Sequence, residues 1–152
     1  MPVPSLISDE LQRLMAAFLE AVSFEPGSAP SYARIRELFI PTGLLIKNSG
    51  AAPEIYSVDE FIAPRQALVD SGALTAFEEV EIAAITEAFG NVAHRTSTYE
   101  KRGTQDEVSF QAKGVIFTQF IAMPAGWKMT AMGWDDERPG LELPDRYRDA
   151  AS

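Results

Sequence analysis

Several kinds of residue are scarce in this chain of 152 residues, and their scarcity excludes whole classes of function. The chain has no cysteine, which excludes disulfides, thiolate metal sites and cysteine nucleophiles. Its single histidine excludes a metal centre built from several histidines. No uncharged apolar run reaches about 18 residues, and MPVPSLISDE lacks the basic start of a secretion signal. We therefore expect a cytoplasmic protein with no membrane partner.

Positive charge is also scarce. Lysine and arginine total 13 against 22 aspartates and glutamates, which gives a net charge of −9 at pH 7. Such a surface repels the phosphates of nucleic acids and of anionic lipids, so we expect no nucleic-acid partner. The sequence has no glycine-rich phosphate loop, no serine nucleophile elbow and no metal-ligand spacing. We expect neither a cofactor nor a metal, which leaves small molecules and other proteins as partners.

What the first third of the chain does contain is helical periodicity. From Ser8 onward apolar residues recur at i, i+3, i+4 and i+7, which predicts a helix capped by Ser8 and ended by Pro26. A second, shorter helix is expected between Pro30 and Pro41, because a helix tolerates proline only in its first turn. A short strand is expected at 44–46.

A third helix has the clearest start signal in the sequence. Ser57 and Glu60 have the spacing of a capping box, in which each side chain binds the backbone amide of the other residue. Pro64 lies inside this helix, and Gly72 is the expected stop.

From residue 74 the apolar pattern alternates as in β-strands. Short breakers separate the runs, which predicts an antiparallel meander, and the length of the runs predicts bulges. Helices followed by a bent antiparallel sheet indicate an α+β fold in which the helices cover the concave face and leave a cavity. We expect a single domain over 1–152, with a core at about 8–137 and a mostly irregular tail at 138–152. The predicted strands are 74–87, 91–102, 108–123 and 127–134.

Three segments of this predicted order carry a resemblance to a known family. They are EFIAPRQALVDSGAL at the third helix, FGNVAHRTSTYEKR at the second long strand and GWKMTAMGWDDE at the last strand. With them the chain resembles the NTF2-like superfamily of cone-shaped α+β folds over about 8–137. More narrowly it is similar to uncharacterised bacterial members related to SnoaL-type cyclases. The resemblance implies a cone with a cavity but no single function, because the superfamily includes isomerases, dehydratases, cyclases and non-catalytic binders. It also implies a homodimer through the outer sheet face, which fits the run 115–123, apolar on both faces.

Three residues are candidate acid–base groups. Histidine titrates nearest to neutrality, which makes His94 a candidate base, although strand alternation favours an outer or subunit-facing position for it. Glu81 is a second candidate base if it is buried, and a solvated carboxylate otherwise. Tyr99 shares the predicted interior face with Arg95, where the two residues would orient a carbonyl or carboxylate. The alternative is that Arg95 pairs with an acid on the adjacent strand while Tyr99 caps the core.

Six residues are candidate ligand contacts. The aromatic ones lie where helices and sheet are expected to meet, and such a ring cluster is more often core than a ligand cage. Two polar residues complete the set. The candidates are Tyr32, Tyr56, Phe61, Trp134, Arg95 and Gln119.

Other charged residues receive structural interpretations. Glu79 and Glu87 are expected to share the strand face of Glu81, and burial would make any one of the three a possible base. The acids at 135–137 alternate in direction, which indicates a solvated strand end instead of a metal site. Lys101 is expected beside a turn.

Three functions follow from these patterns. The first is binding of a small apolar or carbonyl-containing molecule of unknown identity. The second is a cofactor-free isomerase, cyclase or dehydratase that moves protons on a carbonyl compound. The third is an association module whose cavity is filled by side chains, which a cavity volume below about 300 Å³ would favour.

Overall fold

The computed structural model describes residues 3–148. Helices come first along the chain and long strands follow, as the apolar patterns predict. The helices are α1 (Ser5–Val22), α2 (Ile35–Leu38) and α3 (Val58–Asp70), with 3-10 turns at Tyr32–Arg34 and Asp145–Tyr147. The strands are β1 (Phe39–Lys47), β2 (Glu54–Ser57), β3 (Leu74–Phe89), β4 (Val92–Gln105), β5 (Val108–Met123) and β6 (Gly126–Asp136).

All six strands form one sheet in the order β2-β1-β6-β5-β4-β3. Strands β3 to β6 form the predicted antiparallel meander. The sheet as a whole is mixed, because β1 runs parallel to β6, with Leu45 opposite Met132. The sequence analysis missed β2, since its four residues are too few to show a period. The α+β prediction is confirmed.

Helix α1 crosses the concave face of the sheet, where Leu11, Met15 and Phe18 are buried in the core. It begins at Ser5, so the predicted cap at Ser8 is wrong, and the Ser8 amide donates to the Pro4 carbonyl within the helix. It ends four residues before Pro26, at Val22.

The early end of α1 has a structural cause. The chain that follows forms a bridge to β3, in which the Phe24 amide donates to the Phe77 carbonyl at 2.7 Å. The second predicted helix is shortened for a similar reason. Phe39 pairs with Met129 of β6, so β1 begins two residues before Pro41, and a register shift between Phe39 and Leu44 accommodates the proline.

Helix α3 begins and ends where predicted. The Glu60 amide donates to Ser57 Oγ at 3.2 Å, and the Ser57 amide donates to Glu60 Oε1 at 2.9 Å. Ser71 is the C-cap, and Gly72 adopts a φ of +81°, which glycine tolerates best.

A β-bulge at Ile82 decides which residues of β3 face the helices. Glu81 pairs with Tyr99 while Ala83 pairs with Thr98, so Ile82 is the extra residue. Side chains alternate along a strand, and one extra residue exchanges the two faces. Glu79 and Glu81 therefore share the concave face, whereas Glu87 lies on the convex face. The prediction that all three glutamates share one face is wrong at Glu87.

The chain after β6 folds back over the convex face. Tyr147 packs edge-on against Phe117, with ring centroids 6.3 Å apart, and Thr98 Oγ1 donates to the Tyr147 carbonyl at 2.5 Å. Leu143 is buried, and its amide donates to Glu137 Oε2 at 2.9 Å. The tail is irregular apart from one 3-10 turn and one bridge, and residues 149–152 of the predicted tail lie outside the described residues. Within 3–148, no helix combines the length and the apolar character that crossing a membrane requires.

Candidate functional site

A cavity of about 580 Å³ lies between α1, α3 and the concave face of the sheet. Its volume falls within the range of small-molecule sites and exceeds the 300 Å³ below which a filled cone would be indicated. Large aromatic side chains form much of the wall. The charged residues that line it are Lys47, Glu54, Arg65, Glu79, Lys101 and Asp136.

The four aromatic residues singled out from the sequence all line this cavity. Phe61 of α3 meets Trp134 of β6 edge-on at 6.0 Å and meets Tyr56 of β2 at 6.4 Å. Tyr32 completes the wall from the turn before α2. The fold thus brings Tyr32, Tyr56, Phe61 and Trp134 together, and their part in binding stays a prediction.

Two polar candidates lie on the opposite face of the sheet. His94 and Gln119 are neighbours across β4 and β5 on the convex face. His94 Nε2 lies 2.8 Å from Glu87 Oε1, and Gln119 is exposed. For His94 the strand alternation indicated this outer position. The choice of Gln119 as a ligand contact needs correction, because the parity of β5 directs it away from the cavity.

Arg95 and Glu81 form a closed ion pair on the concave face, away from the cavity. Arg95 is 4% exposed, and its Nε and Nη2 donate to the two oxygens of Glu81 at 3.0 and 2.6 Å. Its Nη1 donates to Thr86 Oγ1 at 2.6 Å. This is the alternative in which Arg95 pairs with an acid on the adjacent strand. Glu81 has both oxygens engaged, so the geometry gives no support to Glu81 as a base or to Arg95 as a ligand contact.

Tyr99 lies fully buried beside the cavity and does not line it. Its hydroxyl bonds to the Asp135 carbonyl at 3.1 Å and to the Asp136 carboxylate, and burial raises the pKa of Tyr99. Gly114 faces the ring across the ladder, where a Cβ would collide with the hydroxyl. The Tyr99 hydroxyl therefore holds Asp136 in place, and it is not available to a ligand.

Glu79, and not Glu81, has the role of a partly buried carboxyl group beside the cavity. It lies opposite Lys101 in the β3–β4 ladder and lines the cavity. Its backbone amide donates to Ser23 Oγ at 3.1 Å, which ties this point of β3 to the end of α1. No side chain or backbone group within residues 3–148 hydrogen-bonds to its carboxyl group. The part of Glu79 that remains accessible therefore faces the cavity.

Burial raises the pKa of Glu79 to about 7. Lys101 and Arg65 oppose this shift, and Asp136 adds to it. A carboxyl group with a pKa near neutrality and no protein partner is able to exchange a proton with a bound molecule. Arg95 distinguishes the two glutamates, because it engages both oxygens of Glu81 and leaves the Glu79 carboxyl group without a partner in the described residues.

Two more residues of the site had been given other roles. Lys101 Nζ lies 3.0 Å from Asp136 Oδ1, and both side chains line the cavity. Lys101 is not beside a turn, because β4 continues to Gln105. Asp136 is only partly exposed, because β6 extends to this residue and places it on the face of Trp134. The ends of both strands were predicted too early.

Arg65 of α3 is a further functional candidate that the sequence analysis missed. Its guanidinium carbon lies 3.6 Å from the centroid of the Phe61 ring, and Nη1 donates to the Phe61 carbonyl at 3.1 Å. Burial lowers the pKa of Arg65. The signal was available, since residues four apart share one face of a helix and Phe61 was already a candidate.

Comparisons with known proteins establish the fold. No protein-family model matches the chain, and no curated protein matches it. Solved structures do match. An NTF2-like superfamily protein from Salmonella enterica aligns with a TM-score of 0.71 at 12% identity, over 87% of this chain and 92% of that one.

Two further structures agree with this alignment. An NTF2-like protein with a cystatin-like fold from Novosphingobium aromaticivorans has a TM-score of 0.66 at 15% identity, over 95% of this chain and 88% of that one. An NTF2-like protein of unknown function from Prochlorococcus has a TM-score of 0.68 at 15% identity, over 86% and 93%. The chain has the NTF2-like α+β cone fold, as the resemblance implied, and identities this low carry no function across.

Proposed function

We propose that this protein binds a small, largely apolar molecule in the cavity between α1, α3 and the sheet. The observation that carries the proposal is an open cavity of about 580 Å³ whose walls combine aromatic rings with a few charged groups. Ligand sites in proteins have this composition, with apolar walls for affinity and a few polar groups for orientation. Side chains do not fill the cavity, which argues against the filled association module.

Such binding is driven by burial of the aromatic surface that the open cavity exposes to water. Burial of apolar surface contributes roughly 25 cal/mol per Å², so a bicyclic ligand that covers about 300 Å² of wall and ring gains about 7 kcal/mol. Loss of translational and rotational freedom opposes this gain. We therefore expect micromolar affinity for a well-fitting apolar probe that makes no polar contact.

N-phenyl-1-naphthylamine is a suitable probe, because it is neutral and fluoresces in apolar surroundings. We expect saturable binding to the wild-type protein and its loss in Ala112→Phe, which places a ring in the cavity. Lys113→Phe is the matched control, because it introduces the same ring one residue further along β5, on the convex face. Absence of saturable binding to the wild-type protein, or equal binding to both variants, would overturn the proposal.

Proton transfer to or from the bound molecule is a second candidate function, favoured by Glu79. Isomerisation, cyclisation and dehydration of a carbonyl compound each require removal of a proton next to the carbonyl. The Glu79 carboxylate would accept that proton while the electron pair moves onto the carbonyl oxygen. Protonated Glu79 would then return the proton to carbon. The narrower likeness to SnoaL-type cyclases is consistent with this chemistry and stays a prediction.

Exchange of α-protons tests this second function without knowledge of the substrate. 2-Tetralone, an apolar bicyclic ketone, is incubated in D₂O with the protein, and its α-protons are followed by NMR. We expect the wild-type protein to accelerate exchange and Glu79→Gln to remove the acceleration. Glu78→Gln is the control, because Glu78 is exposed on the other face and pairs with Arg102 at 2.8 Å. Equal exchange in wild type and Glu79→Gln would exclude Glu79 as the base.

We also propose a homodimer through the convex face of the sheet. The tail covers part of this face, yet Val92 and Phe117 remain 54% and 51% exposed. A second copy would remove such apolar surface from water. Sedimentation at micromolar concentration should give twice the chain mass of 16.6 kDa, and a monomer would contradict the proposal.

A further inference from the structure

We infer that the ligand carries a carboxylate, or a planar anion of the same kind, and that Arg65 binds this group while the aromatic wall holds the apolar body. The inference rests on the binding function proposed above and specifies its ligand class. It starts from a guanidinium in the cavity wall that the described protein leaves without an acidic partner.

Arg95 shows the hydrogen bonding of an arginine whose donors all have acceptors. Arg95 uses Nη1 for a neutral oxygen, that of Thr86, and uses Nε and Nη2 as a fork for the two oxygens of Glu81. Arg65 uses Nη1 in the same way, for the Phe61 carbonyl. Its Nε and Nη2 have no acceptor among residues 3–148. The fork that matches a carboxylate is therefore available in the cavity wall.

Arg65 is held in place before any ligand arrives. Its guanidinium stacks on the Phe61 ring at 3.6 Å, and the Tyr56 ring centroid lies 5.7 Å away. The bond from Nη1 to the Phe61 carbonyl fixes the remaining rotation. A fork already immobilised loses little conformational entropy on binding, which favours a ligand that uses both donors.

Acids near Arg65 attract it electrostatically but do not pair with it in the described residues. Glu54 is engaged by the Tyr56 hydroxyl, and no ion pair joins Glu54 or Glu79 to Arg65 within 3–148. Lys47 lines the same cavity and also forms no ion pair in the described part of the chain. The cavity wall thus holds three cations and three carboxylates in a chain whose net charge is −9. One of those carboxylates, Glu79, is partly protonated near pH 7.

Arg65 should select the ligand's polar group by its charge as well as by its planar shape. A half-buried guanidinium has lost part of its hydration, and only an anion restores the lost electrostatic stabilisation. A neutral amide or ketone can accept hydrogen bonds from the fork but leaves the charge uncompensated. We therefore expect discrimination between a carboxylate and its neutral amide on the same ring system.

Displacement of N-phenyl-1-naphthylamine by 2-naphthoate and by 2-naphthamide measures that discrimination. In the wild-type protein we expect 2-naphthoate to bind at least about tenfold more tightly than the amide, since hydrogen bonds to charged groups contribute enough for about a 10- to 100-fold change. In Arg65→Gln we expect the two affinities to become similar through loss of 2-naphthoate binding. Binding of 2-naphthamide and of N-phenyl-1-naphthylamine should weaken much less than binding of 2-naphthoate, because neither of them loses an ionic contact.

Two control variants separate the fork from charge in general. Arg36→Gln removes the same charge from an exposed residue that pairs with Asp59 outside the cavity, and it should leave the preference for 2-naphthoate intact. Arg65→Lys retains a cation without the fork and should retain only part of the preference.

The outcomes separate this inference from the proposed function. If N-phenyl-1-naphthylamine does not bind, the binding function itself falls. If it binds but wild type prefers 2-naphthoate no more than 2-naphthamide, the carboxylate inference falls and binding stands. A preference that survives in Arg65→Gln would also overturn the inference, because another cation would then hold the anion. Should Arg65→Gln fail to fold, the wild-type ratio and Arg65→Lys still decide.

Discussion

Two neighbouring glutamates of β3 have opposite surroundings on the same face of one sheet. Glu81 lies against Arg95, which engages both of its oxygens, and Arg95 is almost entirely buried. Glu79, two residues earlier, lines the cavity and accepts no hydrogen bond from residues 3–148. The first glutamate stabilises the fold, and the second is available to a ligand. Position on a strand face is therefore a poor guide to function when the partner across the sheet is unknown.

The arginines repeat the contrast. Arg95 and Arg65 each give Nη1 to a neutral oxygen, but only Arg95 has a carboxylate for its other donors in the described structure. Removing a residue of the closed pair should damage the fold, whereas removing a residue of the open site should change binding. The three predictions that follow test this division, beginning with the largest effect.

Glu81→Ala should be strongly destabilising. It leaves Arg95 as a buried charge without a partner, which costs about 3 to 5 kcal/mol of unfolding free energy. Glu79→Ala removes a carboxyl group with no protein partner and should cost less than about 1 kcal/mol at pH 7. Urea unfolding of both variants measures the difference. Equal losses would show that the two glutamates are not distinguished as the structure indicates.

The pH dependence of stability should reveal Glu79. Its folded pKa of about 7 lies above its ordinary value of 4.5, so the folded state retains a proton that the unfolded chain has released between these values. Its contribution to stability therefore falls as pH rises from 4.5 to 7 and is constant above that. Lys101, Arg65 and Asp136 are the charged groups around it.

Glu79→Gln should remove this dependence. Relative to wild type, the variant should gain on the order of 2 kcal/mol between pH 5 and pH 8, a figure that allows for solvent in the cavity. Urea unfolding at the two pH values measures the gain. Glu78→Gln, at an exposed carboxylate, should show none. A Glu79→Gln variant that loses stability with pH in parallel with wild type would contradict the assignment.

Tyr99→Phe should have the smallest effect of the three. It removes the hydroxyl that bonds to Asp135 and Asp136, which costs about 1 to 2 kcal/mol of stability. Because Tyr99 lies outside the cavity, affinity for N-phenyl-1-naphthylamine should change less than about twofold. A large loss of affinity with unchanged stability would place Tyr99 in the binding site after all.

The architecture was predictable because the ends of the helices and strands are marked by residues that can be recognised in the local sequence. The capping box at Ser57 and the breakers between strands fixed α3 and the meander within a few residues. The aromatic wall was predictable for the same reason, since apolar residues at the helix–sheet contact show in the periodicity. These signals do not depend on how far a strand extends or where it bulges.

The charged part of the site depends on those details and was largely missed. One extra residue at Ile82 separates Glu87 from Glu79, and nothing in the local sequence marks it. Lys101 and Asp136 lie near strand ends, where boundaries are least certain. Arg65 shares a helix face with the candidate Phe61, but its charge makes it resemble a solvated residue. Partners across the sheet, and not residue type, distinguish a structural ion pair from an available one.

The central claim is that Glu79 faces a ligand cavity, and a ¹³C NMR titration of the glutamate carboxyl groups tests it most directly. We predict one carboxyl resonance with a midpoint near pH 7 that is missing in Glu79→Gln. Saturation with N-phenyl-1-naphthylamine should raise that midpoint, because a ligand in the cavity displaces water from the carboxylate. If every glutamate titrates below about pH 5, or if the probe leaves the Glu79 midpoint unchanged, the account is contradicted.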